Sequence, residues 1–508
     1  MKPKDSRMNF NRNSGILCHV SSLPATDGIG NLGEASRHWI DILDELKCRY
    51  WQMLPLGPTG FGDSPYQVFS AFAGNPMLIS LHDFVESGIF TKKEITPPYV
   101  VETDLVQFFE LNKWKEPKLR DLFQRLKKKN DKTFLSQKAA FSNENAFWLD
   151  EYCLFMALKN RFNGHPWHMW PHEYRFRAAD ALAQTKIELA DEIEYHEYIQ
   201  FIFHQQCLRT CQYAKEKNIE LIGDIPLYVA FDSADVWSAP DHFQLNQDNI
   251  PAFVAGVPPD YFSATGQRWG NPVYRWDILA DQDFNWWVKR VSHALKYMDV
   301  IRLDHFRGLA AYYAIPSIYH TAENGQWIPA PGMQLLQTIN DNLGNLPFIA
   351  EDLGVITPDV IELRDAYHLP GMRIFQFGFG VMEENIHKPS TYIENCVAYT
   401  GTHDNETTLG WYKLQSEEVK QQVLSYLDIE ESADLVHQCI RSLWSSEASL
   451  TISPLQDFLQ LDNTARMNLP GTVGGTNWRW KLRNWQQIDP ILGFVKEINK
   501  EFQRENIK

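Results

Sequence analysis

Short, mostly apolar segments that end in polar, Gly or Pro residues recur along this chain, and they constrain its fold more than any other feature. Runs of this length and composition are typical of strands that are buried on both faces of a parallel sheet. Eight segments fit the description, the last of them less well: 15–20, 50–54, 220–225, 299–303, 347–350, 372–377, 396–400 and 449–453.

Between most of these segments lie stretches that are long enough for a crossover helix. The clearest are 36–46, 199–217, 284–297, 333–343 and 357–367. Strands that alternate with helices predict a parallel sheet. Seven or eight such units predict a closed (β/α)₈ TIM barrel, an α/β fold that takes about 250 residues. Roughly half of the 508 residues then belong to insertions, and without a repeat or a clean linker we expect a single catalytic domain over 1–508.

Two insertions stand out. The larger, 81–194, lies between the second and third predicted strands and carries helical patterns at 113–130 and 143–161, so we expect it to be mainly helical. The second, 232–275, is dense in Pro, Gly, Tyr and Trp. That composition predicts an ordered loop that covers the active site.

Charge and composition narrow the class of partner. Lys and Arg number 48 against 64 Asp and Glu, a net charge of 48 − 64 = −16. Nucleic acids and anionic membranes both require a positive surface, so neither is an expected partner. With 17 Trp, 20 Tyr and 30 Phe, the chain has aromatic rings either for a large core or for stacking against a ring-shaped neutral ligand.

The N-terminal residues 1–13 are polar, and no segment resembles a signal peptide or a membrane span, which predicts a cytoplasmic protein. Seven scattered Cys residues form an odd set, so we expect reduced thiols rather than a disulfide framework. Cys207 and Cys211 have helical spacing but no second Cys or His pair at metal spacing, so they are interpreted as ordinary thiols.

Four of the predicted strands end in a carboxylate: Asp224, Asp304, Glu351 and Asp404. In a barrel these ends converge on the C-terminal face, where the loops build the active site. Any one of them could be an ordinary helix cap. Four together, with Arg and His residues beside them, instead indicate a catalytic pocket, and crowding should push one carboxyl towards protonation.

Arg302 and Asp304 are two residues apart on a strand, so their side chains share a face, and the guanidinium should keep Asp304 ionised. A structural ion pair is the alternative interpretation. Glu351 follows the apolar residues 348–350 and has no cation next to it in sequence, so burial should raise its pKa and suit it to general acid catalysis. An ionised nucleophile beside a carboxylic acid is the pair that retaining glycosidases use.

Metal chemistry is the competing interpretation of the same residues. Asp304–His305, His403–Asp404 and Glu351 could in principle bind a divalent ion. They lack the HxxxH or HxH spacing of common metal sites, so we expect neither a metal nor another cofactor.

Several motifs then show a family resemblance over nearly the whole chain. They are SSLP at 21–24, LPLGPTG at 54–60, DSPYQ at 63–67, GVPPDYFSATGQRWGNPVYRW at 256–276, MNLPGT at 467–472, and the four carboxylate motifs. In these motifs the chain resembles glycoside hydrolase family 77, the amylomaltase or 4-α-glucanotransferase (disproportionating enzyme) family. The resemblance implies an α-amylase-type barrel without a C-terminal β-sandwich, which fits the 508 − 472 = 36 residues after the last motif.

The resemblance also implies roles for individual residues. Asp304 becomes the nucleophile, Glu351 the general acid/base, and Asp404 the group that stabilises the distorted sugar. Positions that match substrate-binding residues around the cleaved sugar are Tyr66, Asp224, Arg302 and His403. Those that match positions near the acceptor side or the covering loop are Asp260, Gln267, Trp269, His305 and Asn468, and Ser64 is a further substrate-binding candidate.

The implied substrates are malto-oligosaccharides and α-1,4-glucans derived from starch or glycogen, with glucose among the acceptors. Two other functions stay open at this point. One is a retaining α-glucan hydrolase, which uses the same carboxylates; the other is a non-catalytic glucan-binding protein, which would not need an acid/base pair. Donor length, cyclic products, the pathway and the oligomeric state do not follow from the sequence.

Overall fold

The computed structural model describes residues 10–259, 263–344, 346–380, 385–430 and 434–506. Twelve strands in these ranges are numbered along the chain: β1 Asn13–Leu17, β2 Tyr50–Gln52, β3 Glu220–Ile225, β4 Phe253–Val257, β5 Gln267–Pro272, β6 Val300–Leu303, β7 Ala311–Pro316, β8 Gln326–Pro329, β9 Phe348–Ala350, β10 Gly371–Ile374, β11 Cys396–Tyr399 and β12 Leu450–Pro454.

Eight of these strands close into a parallel barrel, in the spatial order β1-β12-β11-β10-β9-β6-β3-β2. Each overlaps one of the eight predicted segments, so the predicted TIM barrel is confirmed. β3 has the predicted bounds, whereas the other strands begin or end up to three residues away from them. Seven of the eight are buried along their whole length, and β3 is buried except at its first residue, which is why continuous apolar runs marked them in the sequence.

The helices in the described ranges are also numbered along the chain: α1 Glu34–Leu46, α2 Asp83–Glu86, α3 Phe108–Lys129, α4 Lys132–Arg161, α5 His172–Arg175, α6 Ala179–Glu188, α7 Ala190–Glu216, α8 Ala234–Ser238, α9 Trp276–Asp281, α10 Asn285–Ala294, α11 Gly332–Leu343, α12 Pro358–Ala366, α13 Thr408–Leu414, α14 Glu417–Leu427, α15 Leu435–Ser445, α16 Leu455–Phe458 and α17 Leu492–Glu501.

The five predicted crossover helices correspond to α1, α7, α10, α11 and α12. α11 shows how the sequence ends such a helix, because Gly344 follows it with φ of 72°, the left-handed conformation that favours glycine. α12 begins at Pro358, whose fixed φ suits the first turn and whose missing N–H costs nothing there.

Between β2 and β3 the chain forms α2 to α7, of which α4 and α7 are the longest. α4 and α7 pack through aromatic contacts, such as Phe134 on Phe201 at 5.1 Å between ring centroids. α3 is tied to the barrel by a buried ion pair, in which Lys115 Nζ lies 2.6 Å from Asp27 Oδ2 in the loop after β1. The same ammonium donates to the carbonyl of Met77 at 2.8 Å.

A second, four-stranded antiparallel sheet has the order β5-β4-β7-β8. Its β4 and β5 lie within 232–275, where the sequence predicted a loop. The strands were missed because β4 takes its other partner from far along the chain: Val254 pairs with Ile315 on β7. Val254, Tyr313 and Ile315 form a small core of their own under this sheet.

The barrel closes between the first and last of its strands in sequence, since β1 pairs with β12 as well as with β2. Arg504, after α17, is fully buried beside this closure. Its guanidinium donates to the carbonyls of Trp444, Ser446 and Asn13 at 2.7, 2.8 and 3.3 Å. The end of the described chain is therefore bonded to the start of β1 and to the segment that leads into β12.

None of the helices in the described ranges combines the length and the apolar character that crossing a bilayer requires.

Candidate active site

Three of the four predicted carboxylates stand on neighbouring barrel strands. Asp224 is on β3, and Asp304 and Glu351 directly follow β6 and β9. Strand pairing sets their places, because Asp224 pairs with Arg302. The backbone N–H of Asp304 donates to Ile225 O at 3.0 Å, and that of Glu351 to Leu303 O at 3.1 Å. The structure therefore brings these carboxylates together at the carboxyl ends of the strands.

Arg302 binds two of these carboxylates at once. Its Nη1 lies 2.7 Å from Asp224 Oδ2 and 2.9 Å from Asp304 Oδ1, so the predicted contact with Asp304 is present. Burial works against the charge of Arg302, but Asp224 and Asp304 outweigh it and raise the pKa of the guanidinium well above its usual value. A permanent cation thus stands beside Asp304.

Glu351 is in a different environment. Burial raises the pKa of its carboxyl well above the ordinary value; Arg302 opposes this shift, while Asp304 and Asp352 add to it. Two backbone N–H groups also point at the carboxyl: His305 donates to Oε2 at 2.7 Å and Leu353 to Oε1 at 3.2 Å. The group is therefore protonated well above pH 4.5, and it retains donors that can stabilise its anion.

Asp224 is a second carboxyl with a raised pKa, which the sequence did not indicate. Burial raises its pKa to about 7, with Asp304 adding to the shift and Arg302 and Tyr66 opposing it. Its Oδ2 accepts from the Tyr66 hydroxyl at 2.8 Å as well as from Arg302. Its Oδ1 is buried and has no hydrogen-bond partner among the described residues.

An aromatic wall adjoins these carboxylates. The rings of Tyr66 and His403 stack with centroids 5.1 Å apart at 13°, and Trp478 contacts both rings, at 5.6 and 5.9 Å. Ser64 supports the wall, because its Oγ accepts from the Tyr66 N–H at 3.2 Å. Burial lowers the pKa of His403, so the imidazole is neutral near pH 7 and can donate from only one nitrogen.

Asp404 lies next to this wall and is held from one side. Asn468 Nδ2 donates to Asp404 Oδ1 at 2.6 Å, and His403 Nε2 lies 3.4 Å from the same oxygen. Arg466 fixes both backbones, donating to Asp404 O at 2.6 Å and to Asn468 O at 2.7 Å. His403 also stacks on Tyr66, whose hydroxyl donates to Asp224, so the aromatic wall connects Asp404 to the other carboxylates of the site.

A third group lies beyond Asp304. Trp269 on β5 meets His305 edge to face at 4.9 Å, and its Nε1 donates to Gln267 Oε1 at 3.2 Å. His305 has φ of 50°, in the left-handed region, and burial lowers its pKa to about 4. The antiparallel sheet thus places the Trp269 side chain beside His305, at the carboxyl end of the barrel. Asp260, predicted to belong here, lies outside the described residues.

Sequence reasoning missed three residues at the site. They are Arg466, Trp478 and Tyr228, the last of which lies 6.2 Å from Trp269 and 6.4 Å from His305 between ring centroids. Arg466 directly precedes the motif at 467–472 and Trp478 follows it closely, so the motif itself was the available signal. Tyr228 lies in the loop directly after β3, the strand that carries Asp224.

Two of the side chains that the sequence offered as metal ligands accept hydrogen bonds from other side chains. Asp304 contacts Arg302 and Asp404 contacts Asn468. In the part of the chain that the structure describes, no three His, Cys, Asp or Glu side chains gather as a metal site would require.

Comparison with known proteins places this chain in a family. Residues 18–487 match the family model for 4-alpha-glucanotransferase of glycoside hydrolase family 77. The chain belongs to glycoside hydrolase family 77. Its relatives in that family include the 4-alpha-glucanotransferases of Thermus thermophilus, 44% identical over 94% of this chain and 95% of the relative, and of Synechocystis sp., 43% identical over 97% and 98%.

A solved relative has the same fold over nearly the full length of this chain. The amylomaltase from Streptococcus agalactiae in complex with acarbose matches with a TM-score of 0.93 and 37% identity, covering 97% of this chain and 100% of that one. The amylomaltase from Corynebacterium glutamicum, at 16% identity and a TM-score of 0.79 over 97% of this chain and 75% of that one, supports the fold alone.

Proposed function

We propose that this chain is a 4-α-glucanotransferase, a hexosyltransferase that moves an α-1,4-glucan segment from a donor malto-oligosaccharide to the 4-hydroxyl of an acceptor glucan or of glucose. The single observation that carries the proposal is the pair formed by Asp304, which is ion-paired to Arg302, and Glu351, whose carboxyl accepts two backbone N–H groups, directly after adjacent strands. Relatives more than 40% identical over nearly their whole length carry the name of this activity.

In the proposed first step, Asp304 attacks the anomeric carbon of the donor sugar. The bond from that carbon to the leaving 4-oxygen breaks, and Glu351 gives that oxygen its proton. The products are a glucanyl ester on Asp304, a shortened glucan and a Glu351 carboxylate. The N–H groups of His305 and Leu353 then stabilise the carboxylate that Glu351 has become.

In the second step, the Glu351 carboxylate takes the proton of the acceptor 4-hydroxyl, whose oxygen displaces Asp304 from the anomeric carbon. Configuration is retained because the carbon is inverted twice. Trp269 and His305 are proposed to hold the acceptor sugar, and a held hydroxyl has an effective concentration that bulk water does not match. Asp404, fixed by Asn468, is proposed to bind hydroxyls of the distorted donor sugar.

The decisive experiment distinguishes transfer from hydrolysis. Incubated with maltotriose alone, a transferase is expected to produce glucose together with maltopentaose and longer oligosaccharides, separable by anion-exchange chromatography. A retaining hydrolase would give only glucose and maltose. Binding of maltotriose without turnover would instead favour a non-catalytic glucan-binding protein.

The pH dependence tests the role of Glu351. The acid must be protonated to start the first step, so kcat/KM for maltotriose should fall as the pH rises through the raised pKa of Glu351, well above pH 4.5. α-Maltosyl fluoride loses fluoride without protonation, so its consumption with azide as acceptor should lack this alkaline limb. An alkaline limb at the same pH for both donors would assign the titration to another group.

A further inference from the structure

Beyond the bond from the Glu351 N–H to Leu303 O, the turns that carry Asp304 and Glu351 are joined by hydrogen bonds at three points. Two are made by backbone N–H groups: His305 donates to Glu351 Oε2 at 2.7 Å, and Phe306 donates to Glu351 O at 3.2 Å. The third is made by the side chain of Arg307, whose Nη1 donates to Val355 O at 2.8 Å and to Thr357 Oγ1 at 3.0 Å. The His305 bond ends on the side chain of Glu351, which is the proposed acid/base, so Arg307 is the residue outside the catalytic pair whose side chain donates in this connection.

The environment of Arg307 holds its guanidinium in one place. The side chain is buried, and the guanidinium carbon lies 3.6 Å from the ring centroid of Trp327 on β8. Trp327 thus covers one face of the guanidinium while its Nη1 hydrogen-bonds the segment after Glu351. Stacking together with directed hydrogen bonds is a geometry that Arg provides and Lys cannot reproduce.

His305 explains why such a connection is needed. Its left-handed backbone, with φ of 50°, aims its N–H at Glu351. A residue other than glycine keeps that conformation only where its surroundings enforce it. Arg307 lies two residues further along and anchors this turn to the segment 355–357.

We propose that Arg307 is a positioning residue for the transfer reaction: by tying the turn after β6 to the segment after β9, it fixes Glu351 relative to Asp304. The inference rests on the roles proposed above for those two carboxyls. Arg307 acts through His305 and does not touch the reacting atoms. Retaining catalysis depends on a carboxyl separation of about 5–5.5 Å, so a small displacement of one turn should be costly.

The test compares two donors in the variants Arg307→Met and Arg307→Lys. Maltotriose needs a well-placed acid and base, whereas α-maltosyl fluoride with azide needs neither: the C–F bond breaks as Asp304 bonds to the anomeric carbon, and azide then displaces Asp304. For Arg307→Met we expect kcat on maltotriose to fall about 10–100-fold, since a displacement of 1 Å can cost about 10²-fold. KM should stay within about 3-fold, and the fluoride reaction should lose less than about 3-fold, because only the acid/base is misplaced.

Arg307→Lys should recover part of the lost kcat on maltotriose. The lysine ammonium can still donate a hydrogen bond, but it lacks the planar, forked guanidinium that stacks on Trp327. Equal losses on both donors, or an unchanged kcat on maltotriose, would overturn the proposal.

If Arg307→Met does not fold, Thr357→Val decides the question. Removing one of the two acceptors should give a smaller loss, about 2–5-fold, that again affects maltotriose and spares the fluoride. A loss on the fluoride that spares maltotriose, or no loss on maltotriose, would contradict the proposal.

Two further variants complete the comparison. Arg161→Met removes an Arg of the helical insertion that pairs with Glu188 at 2.9 Å, and it should leave both reactions unchanged. Glu351→Gln should lose the maltotriose reaction and keep the fluoride–azide reaction. Activity of Glu351→Gln on maltotriose would refute the acid/base assignment itself. If Glu351→Gln behaves as expected but Arg307→Met loses activity equally on both donors, only the positioning role of Arg307 is refuted.

Discussion

Replacing Asp304 with Asn is expected to reduce kcat for maltotriose at least about 10⁴-fold, the scale seen when a nucleophile is removed. An amide is too weak a nucleophile to form the glucanyl ester on which both steps depend. The pocket should otherwise persist, because Arg302 keeps its buried partner Asp224 at 2.7 Å. Glucose release from maltotriose, followed by a coupled assay, measures the loss.

The matched control is Asp191→Asn on α7. Asp191 is also ion-paired, to Lys127 at 2.7 Å, but its side chain is 68% exposed and lies in the helical insertion. We expect this variant to retain full activity. Near-normal turnover by Asp304→Asn, with melting behaviour like that of the unmodified protein, would exclude Asp304 as the nucleophile.

Replacing Lys115 with Met is expected to reduce the free energy of unfolding by about 3–5 kcal/mol, the usual cost of breaking a buried ion pair. Lys115 is fully buried, and its ammonium is the cation that contacts Asp27. Without it, the Asp27 carboxylate stays buried, and Asn31 is its remaining side-chain donor among the residues that the structure describes. Chemical denaturation followed by tryptophan fluorescence measures the change, because α3 and the loop after β1 should separate first.

A double variant distinguishes a lost ion pair from a lost side chain. Lys115→Met combined with Asp27→Asn leaves no uncompensated charge and should recover much of the stability. Lys296→Met, which breaks an exposed pair with Glu144, should change stability far less. If the double variant is as unstable as the sum of its single changes, the destabilisation comes from packing and not from charge.

The barrel could be predicted because each of its strands carries its own signal. A strand that is buried on both faces must be apolar along its length, and the adjoining loops must be polar, so both features appear in the sequence. The catalytic candidates were accessible for the same reason, since Asp304 and Glu351 directly follow β6 and β9. The contact from Arg302 to Asp304 followed from the two-residue period of a strand.

The rest depends on contacts between distant parts of the chain. Arg466 and Trp478 reach the pocket from a segment beyond β12 that has no periodic pattern. β4 is recognisable as a strand only once β7 is beside it. The raised pKa of Asp224 arises from burial and from the nearby Asp304, against the opposing effects of Arg302 and Tyr66, an environment that only the folded chain creates.

The closure of the barrel by β1 and β12 also has a consequence for synthesis. The ribosome releases β12 more than 430 residues after β1, since β1 ends at Leu17 and β12 begins at Leu450. During that interval one edge of β1 has no neighbour, and an unpaired apolar strand invites association with other nascent chains. Chaperone dependence of this protein in the cell should therefore be concentrated in the period before β12 emerges from the ribosome.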